Sequence, residues 1–314
     1  MSNQKLIVSY LISIQNLNTS DISLIFSSAK MLKEKPLDFS TVLNNKNLAL
    51  IFEKPSLRTR VTFDVGMISM GGNSVFLDHS NTKLGERESI KDVARNLERW
   101  VDGIVARTYK NKSVIDLAAY SQIPVINGLS DLLHPCQALA DFFTVYEQFG
   151  DTKNLKFCFV GDGNNTCHSL MLAAGLLGIS FFVTTPPGFE PNPDIIETAS
   201  KSAALTGGTI KILTNPHEAV QQANIVYTDV WASMGQEAEI EQRASVFVDY
   251  QVNDSLINQA DKDALFMHCL PAHRGYEVAT SVIDSTKSIV YEQAENRLHV
   301  QKALFYLLMS DPNS

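Results

Sequence analysis

The segment Leu48-Ala-Leu-Ile-Phe-Glu-Lys-Pro-Ser-Leu-Arg-Thr-Arg60 passes from an apolar run through a polar loop into a helical pattern. Leu48 to Phe52 predicts a short buried strand. Val61, Val65 and Ile68 then recur at the spacing of a helix. The same order of strand, loop and helix returns along the chain. Because short apolar runs that alternate with helices are typical of parallel sheets covered by helices on both faces, the segment predicts an α/β fold.

Further strands and helices are predicted on the same grounds. The strands are expected at 74–77, 103–106, 124–126, 156–160, 181–183, 210–212, 225–227 and 265–267, and the helices around 114–118, 139–146, 169–177 and 292–309. A polar, turn-rich stretch at 150–154 predicts a domain boundary. We therefore expect two doubly wound parallel-sheet domains, residues 1–149 and 150–291, with a C-terminal helix at about 292–311. In such sheets, ligands bind at the carboxyl ends of the strands.

Composition restricts the class of protein. Of the 314 residues, 45% are hydrophobic and 19% are charged, which excludes disordered and fibrous proteins. Lys and Arg number 26 against 34 Asp and Glu, so the net charge is −8. An acidic chain is a poor general binder of nucleic acid or of anionic membranes. Any anionic ligand must therefore be held by a local cluster of arginines.

The cysteines and the N-terminal stretch predict a cytoplasmic protein. Cys136, Cys158, Cys167 and Cys269 form no C-x-x-C pair, so no zinc or redox motif is indicated, and four thiols suit a reducing compartment. We find no signal peptide and no apolar run of the roughly 20 residues that a membrane span requires.

Several residues of the first half are candidates for binding an anion. Ser56, Arg58 and Thr59 stand at a predicted helix N-terminus, where backbone N–H groups and the helix dipole favour phosphate. Ordinary helix capping is the alternative. His134 and Gln137 begin another helix, while Arg107 and Arg297 offer further cationic groups. A structural histidine and solvated surface arginines are the alternatives for these.

The second half offers polar groups after its strands. Gly161-Asp-Gly-Asn-Asn165 imitates the start of a dinucleotide-binding loop, but Thr166 stands where the third glycine belongs. Asp229 can hold a ligand ammonium, and Ser233 to Gly235 predicts a loop. Cys269 is either a nucleophile, a hydrogen-bond partner or a buried structural thiol. Joint metal ligation by His268 and Cys269 is disfavoured, since neighbouring residues of a strand point in opposite directions.

Taken together, five segments resemble the carbamoyltransferase family, at its ornithine-using branch. They are Ser56-Leu-Arg-Thr-Arg60, His134-Pro-Cys-Gln137, Asp229 to Gly235, His268-Cys-Leu-Pro271 and Glu295-Asn-Arg297, in family order and spacing over nearly the whole chain. The resemblance implies two α/β domains with the active site in the cleft between them, the C-terminal helix packed back on the first domain, and a homotrimer or a multiple of trimers.

The resemblance also implies the site residues and the reaction, without a cofactor or a metal. Carbamoyl phosphate is expected on Ser56, Leu57, Arg58, Thr59, Lys83, Arg107, His134, Gln137, Cys269, Leu270 and Arg297, and ornithine on Asn165, Asp229, Ser233 and Met234. Arg58, Arg107, His134 and Cys269 are the expected catalytic residues. The δ-amine of ornithine would attack the carbamoyl carbon, giving citrulline and phosphate.

Two positions depart from the family pattern. Leu57 replaces a common threonine, and its backbone N–H can still contact phosphate. Lys83 stands where ornithine enzymes often carry glutamine; the family's aspartate enzymes have a lysine in the comparable loop, which reaches into a neighbouring subunit. Three alternatives stay open, namely a different acceptor such as putrescine or an acylated ornithine, a nucleotide-dependent dehydrogenase, and a non-catalytic carbamoyl phosphate or amino-acid binding protein.

Overall fold

The computed structural model describes residues 6–232 and 239–311, and the chain divides into two compact units. Unit 1 comprises Met1–Phe143 and Glu295–Ser314, and unit 2 comprises Thr144–Ala294. Each unit contains one sheet in which every strand pairing is parallel. The predicted fold class, two parallel-sheet α/β domains, is confirmed. No helix within the described ranges is both long and apolar enough to cross a membrane.

Unit 1 is built on a four-stranded sheet of order β2-β1-β3-β4. Its strands are β1 (Asn47–Phe52), β2 (Asn73–Asp78), β3 (Gly103–Arg107) and β4 (Val125–Leu129). Its helices are α1 (Thr19–Glu34), α2 (Leu57–Ile68), α3 (Ile90–Leu97), α4 (Asn111–Tyr120), most of α5 (Pro135–Phe149) and most of α12 (Val290–Met309). Leu48 to Phe52 are all buried, as expected for a central parallel strand that is covered on both faces.

Strand register in unit 1 brings three loops to one edge of the sheet. Phe52 is paired with Arg107, and Arg107 with Leu129. The strands β1, β3 and β4 therefore end side by side. Ser56 lies in the segment that follows β1, Arg107 is the last residue of β3, and His134 lies in the segment that follows β4.

Unit 2 is built on a five-stranded sheet of order β7-β6-β5-β8-β9. Its strands are β5 (Lys156–Val160), β6 (Ser180–Thr184), β7 (Ile210–Leu213), β8 (Ile225–Thr228) and β9 (Leu265–His268). Its own helices are α6 (Asn165–Leu177), α7 (Pro193–Thr206), α8 (Pro216–Val220), α9 (Ile240–Phe247), α10 (Asp254–Ile257) and α11 (Thr280–Ile283). Val160 is paired with Thr228 and Thr228 with His268, so β5, β8 and β9 end together.

Every predicted strand is present, whereas the helices differ more. The helix predicted from Ser169 begins at Asn165, because the Asn164 side chain accepts the N–H groups of Thr166 and Cys167 and thereby caps α6. The helices α1 and α3 were not predicted, although both carry the apolar period of a helix: Ile22, Ile25, Phe26 and Ala29 in α1, and Ile90, Val93, Ala94 and Leu97 in α3.

Helix α2 is present, but its apolar stripe faces outward. Val61, Val65 and Ile68 are 47%, 44% and 61% exposed, while Phe63 and Met67 form the buried face. The helical spacing was therefore informative about the element and misleading about which face is packed. Leu57, 74% exposed, extends the same stripe.

Candidate functional site

The loop after β1 ends in a capped helix. The Ser56 hydroxyl accepts the Thr59 N–H at 3.3 Å, which fixes the first turn of α2. Arg58 is half-buried and Thr59 is buried, whereas Leu57 is exposed. This turn therefore has the polarity that binds an anion, with its dipole and one guanidinium at the same end of the helix.

Arg297 joins three helices of unit 1 through its guanidinium fork. Its Nη2 donates to Thr59 Oγ1 at 2.8 Å, and its Nη1 donates to Gln137 Oε1 at 2.7 Å. The Gln137 amide donates in turn to Asp141 at 2.8 Å. Arg297 is only 3% exposed, so the default interpretation of a solvated helix-face arginine is wrong. Three predicted site residues, Thr59, Gln137 and Arg297, are in direct contact.

His134 and Arg107 lie in the same positively charged surroundings. Both are buried. Burial, together with the positive charges of Arg297 and Arg107, lowers the pKa of His134 well below its usual value. The imidazole is therefore neutral at pH 7 and can offer a single N–H donor. Arg107 is buried, whereas most arginines at strand ends lie on the surface.

Lys83 lies elsewhere in unit 1, on an exposed loop. Its Nζ is 5.1 Å from the centroid of the Tyr109 ring, and the Lys54 ammonium is 4.5 Å from the same centroid. The buried Glu53 fixes this region, because its two carboxylate oxygens accept the N–H groups of Leu84 at 2.7 Å and of Tyr109 at 2.6 Å. No hydrogen bond described here joins Lys83 to Thr59, Gln137 or Arg297.

In unit 2, Asp229 is the centre of a small polar cluster. Its Oδ2 accepts from the Asn164 amide at 3.0 Å, and its Oδ1 accepts from the Cys269 thiol at 3.1 Å. The backbone N–H of Val230 also donates to Oδ1. Asn165, the residue predicted to contact a ligand, is the first residue of α6 and is half-buried. The sequence argument did not distinguish it from Asn164, which caps the helix.

Asp229, His268 and Cys269 have ligand atoms within 4.8 Å of one another. The argument that His268 and Cys269 point apart is therefore wrong, because the strand ends at His268 and the chain turns. Both ring nitrogens of His268 are already in contact with protein groups: Leu270 N–H donates to Nδ1 at 2.8 Å, and Nε2 is 3.3 Å from Glu277. The histidine is thus engaged in structural hydrogen bonds at both of the atoms that bind metals.

Leu270, the next predicted site residue, is half-buried and has a φ of 58°. This left-handed conformation is unusual for a branched side chain, so surrounding contacts must hold it. Ser233 and Met234 lie outside the described residues.

The glycine-rich loop after β5 has a packing explanation. A side chain at Gly163 would lie 2.3 Å from the backbone nitrogen of Pro191. Gly163 is therefore needed for the close approach of two loops, without reference to a nucleotide. In the same loop, burial raises the pKa of Asp162 to about 6, against the opposing effect of the Arg243 guanidinium 3.1 Å away.

Sequence reasoning missed several buried polar residues that support these groups. They are Glu53, Asp141, Glu277 and Gln293. Glu53 carried a local signal, since it directly follows a buried strand. Asp141 lies one helical turn after Gln137, whereas Glu277 and Gln293 contact His268 across 9 and 25 residues.

We predict that Cys269 is the one cysteine of the four that reacts with a thiol reagent in the folded protein. Burial raises the pKa of Cys136 and of Cys158 to about 12 and raises that of Cys167 well above its usual value, so these thiols stay protonated and inert. Cys269 alone is half-buried. Iodoacetamide labelling followed by peptide mass spectrometry is expected to give about one label per chain. Labelling of a second cysteine before unfolding would contradict this.

Two family models match the chain. The aspartate/ornithine carbamoyltransferase carbamoyl-P binding domain matches residues 10–147, and the Asp/Orn binding domain of the same family matches residues 153–308. Relatives named ornithine carbamoyltransferase are similar throughout. That of Pyrococcus horikoshii is 50% identical over 301 residues, which are 95% of this chain and 95% of the relative.

Solved structures agree with the sequence comparison. The ornithine carbamoyltransferase from Pyrococcus furiosus superposes with a TM-score of 0.92 at 50% identity, covering 95% of this chain and 96% of that one. The anabolic ornithine carbamoyltransferase from Campylobacter jejuni gives a TM-score of 0.90 at 35% identity, covering 96% and 99%. The chain described here therefore belongs to the aspartate/ornithine carbamoyltransferase family.

Proposed function

We propose that this chain transfers the carbamoyl group of carbamoyl phosphate to the δ-amine of L-ornithine, giving L-citrulline and phosphate. The observation that carries the proposal is the buried guanidinium of Arg297 on Thr59 and Gln137, which gives an acidic protein a local site for a phosphate. Family membership and the names of the relatives support ornithine as the acceptor. Putrescine or an acylated ornithine is the alternative acceptor.

Residues 1–149, with the helix at about 292–311, are proposed to bind carbamoyl phosphate. Arg58, Arg107 and Arg297 would neutralise the phosphate, and bidentate guanidinium contacts suit its oxygens. The hydroxyl and backbone groups of Ser56, Leu57 and Thr59 add donors at the helix N-terminus. His134 and Gln137 would hold the carbamoyl group of the substrate. The His134 imidazole is neutral, so it can donate a hydrogen bond there without a positive charge that would attract the phosphate.

Residues 150–291 are proposed to bind ornithine. The Asp229 carboxylate, with Asn165, is suited to the α-ammonium group, and the assignment includes Ser233 and Met234. Cys269 and Leu270 would stand beside the reacting groups. We assign Cys269 to positioning the amine rather than to nucleophilic attack, since its thiol already donates to Asp229.

The chemistry requires a neutral amine and a stabilised oxyanion. A free δ-amine has a pKa near the lysine value of about 10.4, so the site must bind or favour its minor neutral form. The amine attacks the carbamoyl carbon, and Arg58, Thr59 and His134 hold the carbonyl oxygen as negative charge develops. Phosphate leaves as the C–O bond breaks, and it accepts the proton that the nitrogen loses. Holding both substrates in one site lowers the activation barrier further, because the reaction between them becomes effectively unimolecular.

The proposal includes a homotrimer, or a multiple of trimers, in the cytoplasm. The outward stripe Leu57, Val61, Val65 and Ile68 on α2 supports association with a second copy, since monomers rarely expose such a stripe. None of the four cysteines, all of which lie in the described part of the chain, forms a disulfide, which suits a reducing compartment. The relative from P. furiosus is named anabolic, and we propose the same biosynthetic direction here.

We expect the purified protein to form citrulline from carbamoyl phosphate and L-ornithine. Putrescine and N-acetylornithine, assayed in parallel at equal concentration, are expected to give much lower kcat/KM, because the Asp229 carboxylate selects a free α-ammonium. A higher kcat/KM with putrescine or N-acetylornithine would contradict the assignment of L-ornithine as the acceptor. Tight binding of carbamoyl phosphate without any product would favour a non-catalytic binding protein.

The variant Arg297→Lys tests the phosphate site. Lysine keeps the charge but loses the planar fork that reaches both Thr59 and Gln137, so we expect affinity for carbamoyl phosphate to fall roughly 10-fold or more. Isothermal titration measures this. Arg99→Lys, at an exposed position, is the matched control and is expected to bind as the parent protein does. Unchanged affinity in Arg297→Lys would remove this residue from the site.

Lys83 is proposed to act in the site of a neighbouring subunit. Its loop is exposed and is held by Glu53, and its ammonium lies 5.1 Å from the centroid of the Tyr109 ring. Arg58→Ala and Lys83→Ala are each expected to be nearly inactive. In a closed ring, each subunit gives a loop to one neighbour and receives one from the other. The two variants are unfolded, mixed in equal amounts and refolded together. About one site in four would then combine a chain that has Arg58 with a neighbour that has Lys83.

Recovery of about that share of the parent rate supports action across the interface. If the re-formed trimers stay as inactive as both variants alone, Lys83 acts within its own chain. If Lys83→Ala alone is nearly fully active, its ammonium is only a surface charge.

A further inference from the structure

We infer that Glu277 and His268 are positioning residues for the reaction, because a buried Glu277–His268 pair fixes the turn that carries Cys269 and Leu270 against Asp229. The inference rests on the proposed function, in which these groups orient the amine of ornithine. Neither Glu277 nor His268 is assigned a contact with either substrate. Both are completely buried.

The contacts of the His268 ring define its tautomer. A backbone N–H is always a donor, so the bond from Leu270 N–H at 2.8 Å makes Nδ1 the acceptor. The ring is then neutral and carries its hydrogen on Nε2. That hydrogen faces Glu277 Oε1 at 3.3 Å. Glu277 thereby selects the ring orientation that leaves Nδ1 available to the turn.

The turn is held from its other side as well. The backbone N–H of His268 donates to Gln293 Oε1 at 3.0 Å, and the Gln293 amide donates to the Tyr227 hydroxyl at 3.2 Å. His268 is thus fixed at its backbone and at both ring nitrogens. The residue between the two fixed peptides is Cys269, and its thiol reaches Asp229 Oδ1 at 3.1 Å. The left-handed φ of Leu270 needs this kind of support.

Glu277 also links this turn to the segment after β8. Its Oε1 accepts the His273 N–H at 2.5 Å, which leaves Oε2 buried without a hydrogen-bond partner among the described residues. The indole Nε1 of Trp231 is likewise a buried donor without a described partner. Both residues line one cavity of about 10 Å³, which is enough for a single water molecule. The turn that carries Cys269 and the segment that carries Asp229 therefore meet at this cavity.

The experiment compares four variants of the whole protein. Glu277→Gln keeps the shape of the side chain and removes the charge behind His268. His268→Ala removes both ring contacts, whereas His268→Asn can still accept the Leu270 N–H through its side-chain oxygen. Asp284→Asn is the matched control, because it breaks the exposed ion pair of Arg274 on the same loop at 2.7 Å and touches nothing in the buried pair.

We expect Glu277→Gln and His268→Ala to lower kcat/KM for ornithine about 10- to 100-fold, as small displacements of positioned groups do. Their affinity for carbamoyl phosphate, measured by titration, is expected to fall much less than kcat/KM, because Arg58, Arg107 and Arg297, which are proposed to bind its phosphate, are in unit 1. His268→Asn is expected to recover most of the loss of His268→Ala. The rate of Cys269 alkylation should change in both damaging variants and not in Asp284→Asn.

Unchanged ornithine kinetics together with unchanged alkylation in Glu277→Gln would overturn the inference. A loss of carbamoyl phosphate affinity as large as the loss in kcat/KM for ornithine would also overturn it, since it would indicate general structural damage. If Glu277→Gln and His268→Ala do not fold, Glu277→Asp carries the same measurements and the same decisions. If the parent protein forms no citrulline, the proposed function fails. The alkylation rates and the ¹⁵N shifts of the His268 ring still test whether the Glu277–His268 pair fixes the turn. A hydrogen on Nδ1 of His268 would then contradict the inference.

Discussion

Parallel strand pairing is the constraint on which the candidate site depends. Thr228 is paired with His268, so the residues that follow, Asp229 and Cys269, leave the sheet side by side and their side chains meet at 3.1 Å. Phe52 is paired with Arg107 in the same way, and the N–H of Glu53 then bonds the Arg107 carbonyl. Backbone hydrogen bonds thus set the positions of chemical groups that are far apart in sequence.

The sequence predicted the elements better than their environments. Leu48–Phe52 and the other apolar runs were identifiable because parallel strands are buried on both faces. The α2 stripe was identifiable as helical, but periodicity alone cannot show whether such a stripe faces the core or a second chain. Ser56, Thr59 and Asp229 were predicted as site residues because ligands bind near strand ends in this fold, and that assignment stays a prediction.

Long-range polar contacts could not be predicted in this way. Arg297 contacts Thr59 across a sequence separation of 238 residues, and no local pattern predicts such a contact. The mistaken argument about His268 and Cys269 has the same origin: alternation holds within a strand, and the strand ends at His268. The resemblance to a family supplied the contacts that spacing could not, while the supporting groups Glu53 and Glu277 became visible only in the structure.

Each unit buries both signs of charge, but the charged groups of the candidate site differ between the units in a way that matches the two proposed substrates. In unit 1 they are the guanidinium groups of Arg107 and Arg297, with a histidine that these cations help to keep neutral. In unit 2 the charged group of the site is the Asp229 carboxylate. Buried charge interacts more strongly than exposed charge, so an acidic chain can still attract an anion to one unit and an ammonium group to the other. Each buried ion also needs compensating hydrogen bonds, and this requirement explains why polar networks such as Arg297–Gln137–Asp141 and Cys269–Asp229–Asn164 surround the groups proposed to meet the substrates.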